Sequence, residues 1–230
     1  MIIITGTSRG IGKAVAELYL AKGENVLGIG RTISINHQNY THQFCDLSNP
    51  SEVEKLNFPT FDEPIIFIHN AGVLGEVGRF SELENSSHME VMQVNFNAGV
   101  TLFHKLIHQT TQQFTCAFVS SGAGKRPIAS WAAYCASKAA VDLFLETIFV
   151  EEKERNGSKI QVYSISPGVV DTGMQEKIRH SSPEDFSSIE RFKSLHENGE
   201  LIQPKHVAEK IASLLEQNPT NKVQWSLSEI

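Results

Sequence analysis

Two residues in the middle of the chain, Tyr134 and Lys138, have the types and the spacing needed for proton transfer. Side chains four residues apart lie on one face of a helix, so both can reach the same pocket. A phenol has an unperturbed pKa of about 10, and a neighbouring ammonium lowers that pKa by stabilising the phenolate. The pair therefore predicts proton transfer to a carbonyl oxygen. A packed ring beside a solvated amine is the alternative for an isolated Tyr-x-x-x-Lys motif.

A glycine-rich turn near the N-terminus indicates where a cofactor would bind. Gly6, Gly10 and Gly12 lie between a short apolar strand and an apolar-periodic helix that starts near Ile11 and ends near Gly23. Glycines allow close backbone approach to a pyrophosphate, and the N–H groups at a helix start favour an anion. The pattern G-x-x-x-G-x-G in this context predicts dinucleotide binding, whereas a plain strand-to-helix turn is the alternative.

The residue after the second predicted strand bears on the type of dinucleotide. An acidic residue about twenty positions after the glycine loop would bind the ribose 2'-OH of NAD, whereas an Arg would accommodate the 2'-phosphate of NADP. Gly30 and Arg31 occupy this place, and Arg9 in the loop offers a second cation. The sequence therefore predicts NADP(H), unless either Arg is simply solvated, as most surface arginines are.

Two further predicted strands end in residues suited to a site. Asn70, Ala71 and Gly72 follow the strand after Pro64, and Ser121 follows the strand that begins at Phe114. The carboxyl ends of parallel strands meet at one edge of a sheet, which is where open α/β sheets bind ligands. We therefore expect these residues to converge with the glycine loop and the Tyr-Lys pair.

A long helix is predicted from a cap at Ser86 or Ser87 to about His108. Asn95 lies in its interior, where Asn is mildly unfavourable, so it has either a hydrogen-bonding role or a surface position. His104 and His108 are four residues apart with no nearby acid, and we interpret them as a solvated helix face. No metal site is predicted.

The region around the pair suggests the substrate. Trp131 precedes Tyr134 by one helical turn, so it either lines the pocket mouth or packs under the helix. Met174 opens a stretch without clean periodicity, and we predict that residues 173–203 form a substrate lid. An apolar wall with few cations favours a neutral, flat carbonyl compound over a phosphorylated sugar or a carboxylate.

Composition limits the class of protein. The 230 residues, 40% of them hydrophobic, fit a single domain over 1–230. A net charge of -6 argues against nucleic acid as a partner, and no apolar stretch approaches the roughly 18 residues of a membrane span. Three cysteines without a C-x-x-C pair, and the lack of a signal-peptide core, predict a reduced, cytoplasmic setting. Strands alternate with helices from end to end, which predicts an α/β fold with a doubly wound parallel sheet of about seven strands and helices on both faces.

The chain resembles the short-chain dehydrogenase/reductase family over nearly its whole length. The resemblance rests on motifs in family order, namely Thr5-Gly6-x-x-x-Gly10-x-Gly12, Asp46-Leu47, Asn70-Ala71-Gly72, Asn95, Ser121, Tyr134-x-x-x-Lys138 and Pro167-Gly168-x-x-x-Thr172. One departure is His69, where the family usually has a second Asn.

The resemblance implies a role for each matched position. Tyr134 would be the general acid/base, Lys138 its activator and a ribose ligand, Ser121 the donor to the substrate oxygen, and Asn95 the holder of a relay water. Asp46 would contact adenine and Thr172 the carboxamide. The implied cofactor-binding set includes Tyr134 and Lys138 themselves and is completed by Gly6, Ser8, Arg9, Gly10, Ile11, Gly12, Arg31, Leu47, Asn70, Ala71, Gly72, Pro167, Gly168 and Val170.

Within the family, the segments NAGVLGEVG and PGVVDTGMQ resemble the branch of sepiapterin and benzil reductases, which reduce dicarbonyl compounds. The resemblance thus implies an NADPH-dependent carbonyl reductase that forms a homodimer or tetramer through its two long helices. A regulator that senses NADP(H) without turnover is the alternative, but it would not need a proton donor beside the nicotinamide. A purely scaffolding role would leave the glycine loop unexplained.

Overall fold

The computed structural model describes residues 1–155, 158–217, 219 and 221–228. Its strands form one sheet in the order β3-β2-β1-β4-β5-β6-β7, and every pairing is parallel. The predicted α/β fold with a parallel sheet of about seven strands is therefore confirmed. The strands are β1 (Ile2–Thr5), β2 (Val26–Gly30), β3 (Tyr40–Phe44), β4 (Ile65–His69), β5 (Phe114–Val119), β6 (Ile160–Ser166) and β7 (Gln224–Ser226).

Helices cover both faces of this sheet. Ile2 and Ile4 of β1 pack in one apolar cluster and Ile3 in another, because successive side chains of a strand point to opposite faces. Helices α1 and α8 complete the first cluster, and α2, α4 and α5 the second. The helices are α1 (Gly10–Ala21), α2 (Pro50–Lys55), α3 (Asn85–Met92), α4 (Ala98–Ile107), α5 (Ala132–Glu154), α6 (Gly173–Arg179), α7 (Ile189–Glu197) and α8 (Pro204–Gln217).

The long helix predicted up to His108 is interrupted. Between α3 and α4 the backbone forms a π-helical turn over Gln93–Asn97, and the predicted caps Ser86 and Ser87 lie inside the first turn of α3. The cap prediction is wrong because Ser87 instead accepts a hydrogen bond from the backbone N–H of Glu76. A π-helical turn often occurs at a functional site, since its extra residue re-aims a side chain.

The segment 173–203 contains two helices, α6 and α7, where the sequence showed no clean periodicity. Both helices are short and bury only a narrow apolar face, which includes Ile178 in α6 and Phe192 in α7. Such a face is too brief to give a periodic signal. Among the described helices, none is long and apolar enough to cross a membrane.

Candidate active site

One cleft of about 1150 Å³ lies at the carboxyl ends of β1, β4, β5 and β6. The strand order reverses between β1 and β4, and open α/β sheets bind their ligands at such a switch point. The volume exceeds the roughly 300–1,000 Å³ of an ordinary small-molecule site, which leaves room for a substrate beside a dinucleotide. Every residue predicted to contact cofactor or substrate lines this cleft except Gly12 and Asn95.

The glycine loop between β1 and α1 has the backbone that its sequence predicts. Gly6 and Gly10 have φ values of 74° and 58°, in the left-handed region that favours glycine. Gly12 is required for a different reason, because a Cβ there would lie 2.2 Å from Nδ2 of Asn70 and 2.3 Å from the carbonyl oxygen of Gly6. The N–H groups in the first turn of α1 have no partner within the helix. The loop therefore fits a diphosphate group.

Asn70 connects this loop to the end of β4. Its Nδ2 donates to the carbonyl oxygens of Thr5 and Gly6, each at 3.1 Å. The Thr5 hydroxyl oxygen accepts from the backbone N–H groups of Asn70 and Ala71 at 3.1 and 3.0 Å. Both side-chain amide protons of Asn70 are thus used within the protein, so any side-chain contact with a cofactor falls to its Oδ1 atom.

His69 takes the place of the usual second Asn and is buried. Its Nε2 lies 3.0 Å from the carbonyl oxygen of Val94 and must therefore carry the proton, which makes Nδ1 the acceptor for the Thr5 hydroxyl at 3.0 Å. Burial, followed by the charge of Lys138, lowers the pKa of His69 to about 3. The imidazole is therefore neutral and joins β1 and β4 to the π-helical turn.

Asn95 lies at the centre of the π-helical turn and is fully buried. Its Oδ1 accepts from the backbone N–H of Val73 at 2.8 Å, and its Nδ2 donates to the Val73 carbonyl oxygen at 2.9 Å and to the Ser137 hydroxyl at 3.0 Å. Of the two alternatives open from the sequence, the structure thus shows the hydrogen-bonding one. The side chain fixes the loop after β4 against α5.

Tyr134 is buried in the first turn of α5, and it lines the same cleft as Ser121. Burial raises the pKa of the Tyr134 phenol, and the Ser121 hydroxyl opposes that rise only in part. The prediction that an ammonium lowers this pKa is wrong for the protein alone, because Lys138 lies 5.7 Å from the ring centroid and burial dominates. Tyr134 is accordingly protonated at neutral pH.

Lys138 is buried one turn further along α5. Its Nζ donates to the carbonyl oxygen of Val119 at 2.7 Å, so the ammonium is held at the end of β5. Burial lowers the pKa of Lys138 to about 8, and the Asp142 carboxylate acts in the opposite direction. Gly72 packs beside it, since a Cβ there would lie 3.7 Å from Nζ.

At the opposite end of the cleft, Arg31 faces Asp46, with 3.8 Å between Nη1 and Oδ2. The Asp46 carboxylate accepts from the Ser48 hydroxyl at 2.7 Å, and this bond is the main cause that lowers the Asp46 pKa. Arg9 lies against the start of α6, with its Nη1 atom 3.6 Å from where a Cβ of Gly173 would be. Both cations predicted to bind a 2'-phosphate thus lie at the cleft, and Arg31 is mostly exposed.

The loop after β6 closes the cleft from the other side. Gly168 has a φ of 83°, which turns the chain sharply after Pro167. The turn brings Thr172 onto the glycine loop, with its Cγ2 atom 3.2 Å from where a Cβ of Gly10 would be. The predicted residue Val170 also lines this wall of the cleft.

On the substrate side, Trp131 combines the two positions left open by the sequence. Its ring is buried and stacks on Phe186 at 5.0 Å between centroids, while its edge faces Tyr134 at 5.8 Å. It also lines the cleft, together with the predicted residue Met174. Trp131 is therefore both a packed residue and part of the cleft wall.

The expectation of few cations around this cavity is wrong at its rim. Arg126, Lys177 and Arg191 line the cleft and are exposed. Lys177 and Arg191 belong to α6 and α7, whose faces the irregular sequence pattern did not reveal. The cleft therefore has apolar walls beneath a basic rim.

Sequence reasoning missed several buried polar residues that support the site. Thr5 links His69 to the loop after β4, and Ser137 donates to the Tyr134 carbonyl oxygen at 2.8 Å while it accepts from Asn95. Asp142 lies four residues after Lys138 and is buried. A signal existed for Asp142, because a charged residue at that spacing extends the Tyr-Lys face of the helix.

The fold and the cleft define a class, that of oxidoreductases that bind a nicotinamide dinucleotide at the switch point of a parallel sheet. A family model described as short chain dehydrogenase matches residues 1–183. The chain belongs to the short chain dehydrogenase family.

Relatives place the chain within that family. It is 36% identical to a benzil reductase ((S)-benzoin forming) of Bacillus subtilis (strain 168), with 100% of this chain and 98% of the relative covered. It is 28% identical to the sepiapterin reductase of Rattus norvegicus, with 94% and 91% covered. A short chain dehydrogenases/reductase structure from Saccharomyces cerevisiae superposes with a TM-score of 0.84 at 26% identity, over 98% of this chain and 95% of that one. The predicted resemblance to the sepiapterin and benzil reductase branch is confirmed.

Proposed function

We propose that this protein is an NADPH-dependent carbonyl reductase that reduces aromatic or vicinal diketones to hydroxyketones. One observation carries the proposal: the phenol of Tyr134 and the hydroxyl of Ser121 line the same cleft, in a chain that is similar to a benzil reductase over its whole length. The apolar walls around Trp131 and Met174 support a neutral aromatic substrate.

In this proposal the chain's own residues bind the carbonyl and move the proton. NADPH, when bound, supplies a hydride from C4 of its nicotinamide. Ser121 donates to the substrate oxygen, and Tyr134 protonates that oxygen as negative charge develops on it. The raised pKa of Tyr134 suits reduction of a carbonyl group, because an acid must be protonated before the reaction. The Lys138 ammonium then stabilises the phenolate that Tyr134 becomes.

The proposed cofactor contacts use groups that face the cleft. Arg31 and Arg9 would bind the 2'-phosphate, Asp46 the adenine and Thr172 the carboxamide, while the glycine loop binds the diphosphate. Asn95 would hold a relay water through its main-chain carbonyl, since both of its amide protons are already donated.

We further propose that residues 173–203 act as a lid. Helix α6 places Met174 and Ile178 over the cleft, and α7 adds Phe192. The segment also packs on Trp131 through Phe186, so its closure would move the part of the cleft wall that Trp131 forms. A homodimer or tetramer packed through α4 and α5 is proposed as well, because α5 exposes Leu143 and Val150. Light scattering on the purified protein would give the oligomeric state.

The function is tested by following NADPH and NADH consumption with a panel of carbonyl compounds. The panel contains benzil, a small aliphatic vicinal diketone, a pterin, a carboxylated diketone and a phosphorylated sugar. We expect benzil with NADPH to give the highest kcat/KM, and chromatography of the product should show a hydroxyketone. The basic rim makes the carboxylated diketone the most informative competitor. Preference for it would contradict the neutral-substrate proposal, and cofactor binding without turnover of any compound would favour the sensing alternative.

A further inference from the structure

Asp142 is a buried carboxylate that the proposed chemistry does not use. It lies on α5 four residues after Lys138 and eight after Tyr134, so the three side chains follow one face of the helix. A charged side chain is almost never buried unless it is paired. Its environment therefore indicates what it does.

Two serine hydroxyls, one just after β5 and one in β6, donate to the same oxygen of this carboxylate. The Ser120 hydroxyl donates to Oδ1 at 2.6 Å and the Ser164 hydroxyl donates to the same atom at 2.5 Å. Ser120 is the residue between Val119, which accepts from Lys138, and Ser121. Consecutive residues at the end of β5 thus contact the lysine and the aspartate of α5. This arrangement fixes α5 at the depth where Tyr134 meets Ser121.

We infer that Asp142 is a positioning residue that keeps the Lys138 ammonium charged and in place at the floor of the cleft. The inference rests on the proposed role of Lys138. A buried ammonium loses hydration, and an opposite charge within the same low-dielectric region restores part of that loss. Among the described residues Lys138 and Asp142 do not form a direct ion pair, and Asp142 acts on the ammonium at longer range along α5; the other ionisable groups near it are His69 on β4 and Tyr134, whose ring centroid lies 5.7 Å from Nζ. His69 is neutral and Tyr134 protonated, which leaves Asp142 as the opposing charge.

The direction of the pKa shift of Lys138 agrees with this geometry. Burial lowers the pKa of Lys138 to about 8, and Asp142 is the group that opposes the decrease. Without the carboxylate the ammonium would lose its proton at a lower pH. Removal of charge from Asp142 therefore has a consequence that a purely structural role would not have.

The test is Asp142→Asn, which keeps an oxygen for both serine hydroxyls and removes the charge. Lys138 is titrated by NMR in protein carrying ¹³C at the lysine ε-carbon, with Lys138→Met used to assign the signal. We expect the titration midpoint to fall by about one pH unit in the variant. In wild-type and Asp142→Asn enzyme, kcat/KM for the diketone should be similar at pH 6, whereas at pH 8 the variant should be lower by roughly fivefold.

Glu146→Gln is the matched control, because Glu146 is an exposed acid one turn further along the same helix. It should leave the Lys138 midpoint unchanged. An unchanged midpoint in Asp142→Asn would overturn the inference, even if activity fell. If no carbonyl compound is reduced, the proposed function fails, but the NMR titration still decides the role of Asp142. Should Asp142→Asn not fold, the smaller uncharged Asp142→Ser serves instead, and failure of both to fold would assign Asp142 a structural role and overturn the inference.

Discussion

The imidazole of His69 donates a hydrogen bond to the carbonyl oxygen of Val94 at 3.0 Å, and this bond joins the end of β4 to the π-helical turn. A π-helical turn leaves carbonyl groups without their usual helical partners. Because the His69 Nδ1 atom also accepts from Thr5, one buried side chain supports both the glycine-loop side and the Asn95 side of the cleft. His69 thus has a structural task that its neutral form alone can perform.

The free energy of unfolding should therefore depend on pH through His69. Its folded-state pKa, about 3, is below the ordinary 6.5, so stability from its neutral form is present above pH 6.5 and is lost as pH falls towards 3. The loss has a limiting slope of about 1.4 kcal/mol per pH unit. His69→Asn should reduce this dependence in urea unfolding at several pH values. His196→Asn, at an exposed position on α7, is the control, and an equal pH dependence in both variants would contradict the assignment.

Tyr134→Phe should remove the proton donor and little else. The ring still packs against Trp131, so cofactor affinity and melting temperature should change little. Diketone reduction should fall by at least the roughly 10²-fold that general acid catalysis supplies. Tyr163→Phe, which removes a part-buried tyrosine hydroxyl that does not line the cleft, should keep full turnover in the same assay. Normal kcat in Tyr134→Phe would place the donor elsewhere.

Arg31→Asp should change the cofactor preference. The substitution removes a cation proposed for the 2'-phosphate and places a repelling charge beside it. The loss of one charge-assisted contact corresponds to a decrease of about tenfold to a hundredfold in kcat/KM for NADPH, whereas the value for NADH should be retained or rise. Steady-state kinetics with both cofactors measures this. Arg79→Asp, an exposed arginine away from the cleft, should alter neither, and equal use of the cofactors by the wild type would refute the prediction.

Trp131→Ala should raise KM for benzil more than for a small aliphatic diketone, because the indole forms part of the cleft wall. The ring also packs on Phe186 and Phe192, so the variant should lose about 3–5 kcal/mol of stability. Trp131→Phe keeps an aromatic ring and should retain most of both properties. Kinetics on the two substrates, run below the melting temperature of each variant, separates the effects. Equal increases in KM for both substrates would contradict the role in the wall.

Gly12→Ala should abolish NADPH binding or prevent folding, since the new methyl would clash with Asn70 and with the backbone of Gly6. Gly122→Ala is the matched control, because nothing lies within 4 Å of a Cβ at that position. Fluorescence titration with NADPH and thermal unfolding of both variants measure the difference. Tight NADPH binding by Gly12→Ala would show that the loop tolerates a wider approach.

Much of the site was predictable from the chain because its parts follow the ends of strands. The glycine loop, Asn70 and Ser121 each come directly after an apolar run, and parallel strands bring such positions to one edge. The start of α3 at Asn85, ahead of the predicted cap at Ser86 or Ser87, was not predictable, since the choice of the first helical residue depends on tertiary contacts such as that of Ser87 with Glu76.

The effect of burial on the pKa of Tyr134 was also not predictable from the sequence. The sequence shows that an ammonium lies near Tyr134, but only the fold shows that desolvation of the phenol outweighs it. Helices α6 and α7 were missed for a related reason. Their apolar residues pack on the aromatic group around Trp131 rather than on a periodic core face, so Lys177 and Arg191 could not be placed at the rim.

The strand order also determines when the cleft can form during synthesis of the chain. Strand β1 is made first, yet one of its two partners is β4, with Ile2 paired to Ile66. Pairing between such distant segments is slow because a long loop must close before any contact between them can stabilise it. The walls contributed by α6 and α7 follow more than a hundred residues later. A ribosome-bound fragment that stops before Pro167 would contain the whole glycine loop and the Tyr-Lys pair but lack one side of the cleft, so the full set of proposed cofactor contacts exists only after the loop that follows β6 has been made.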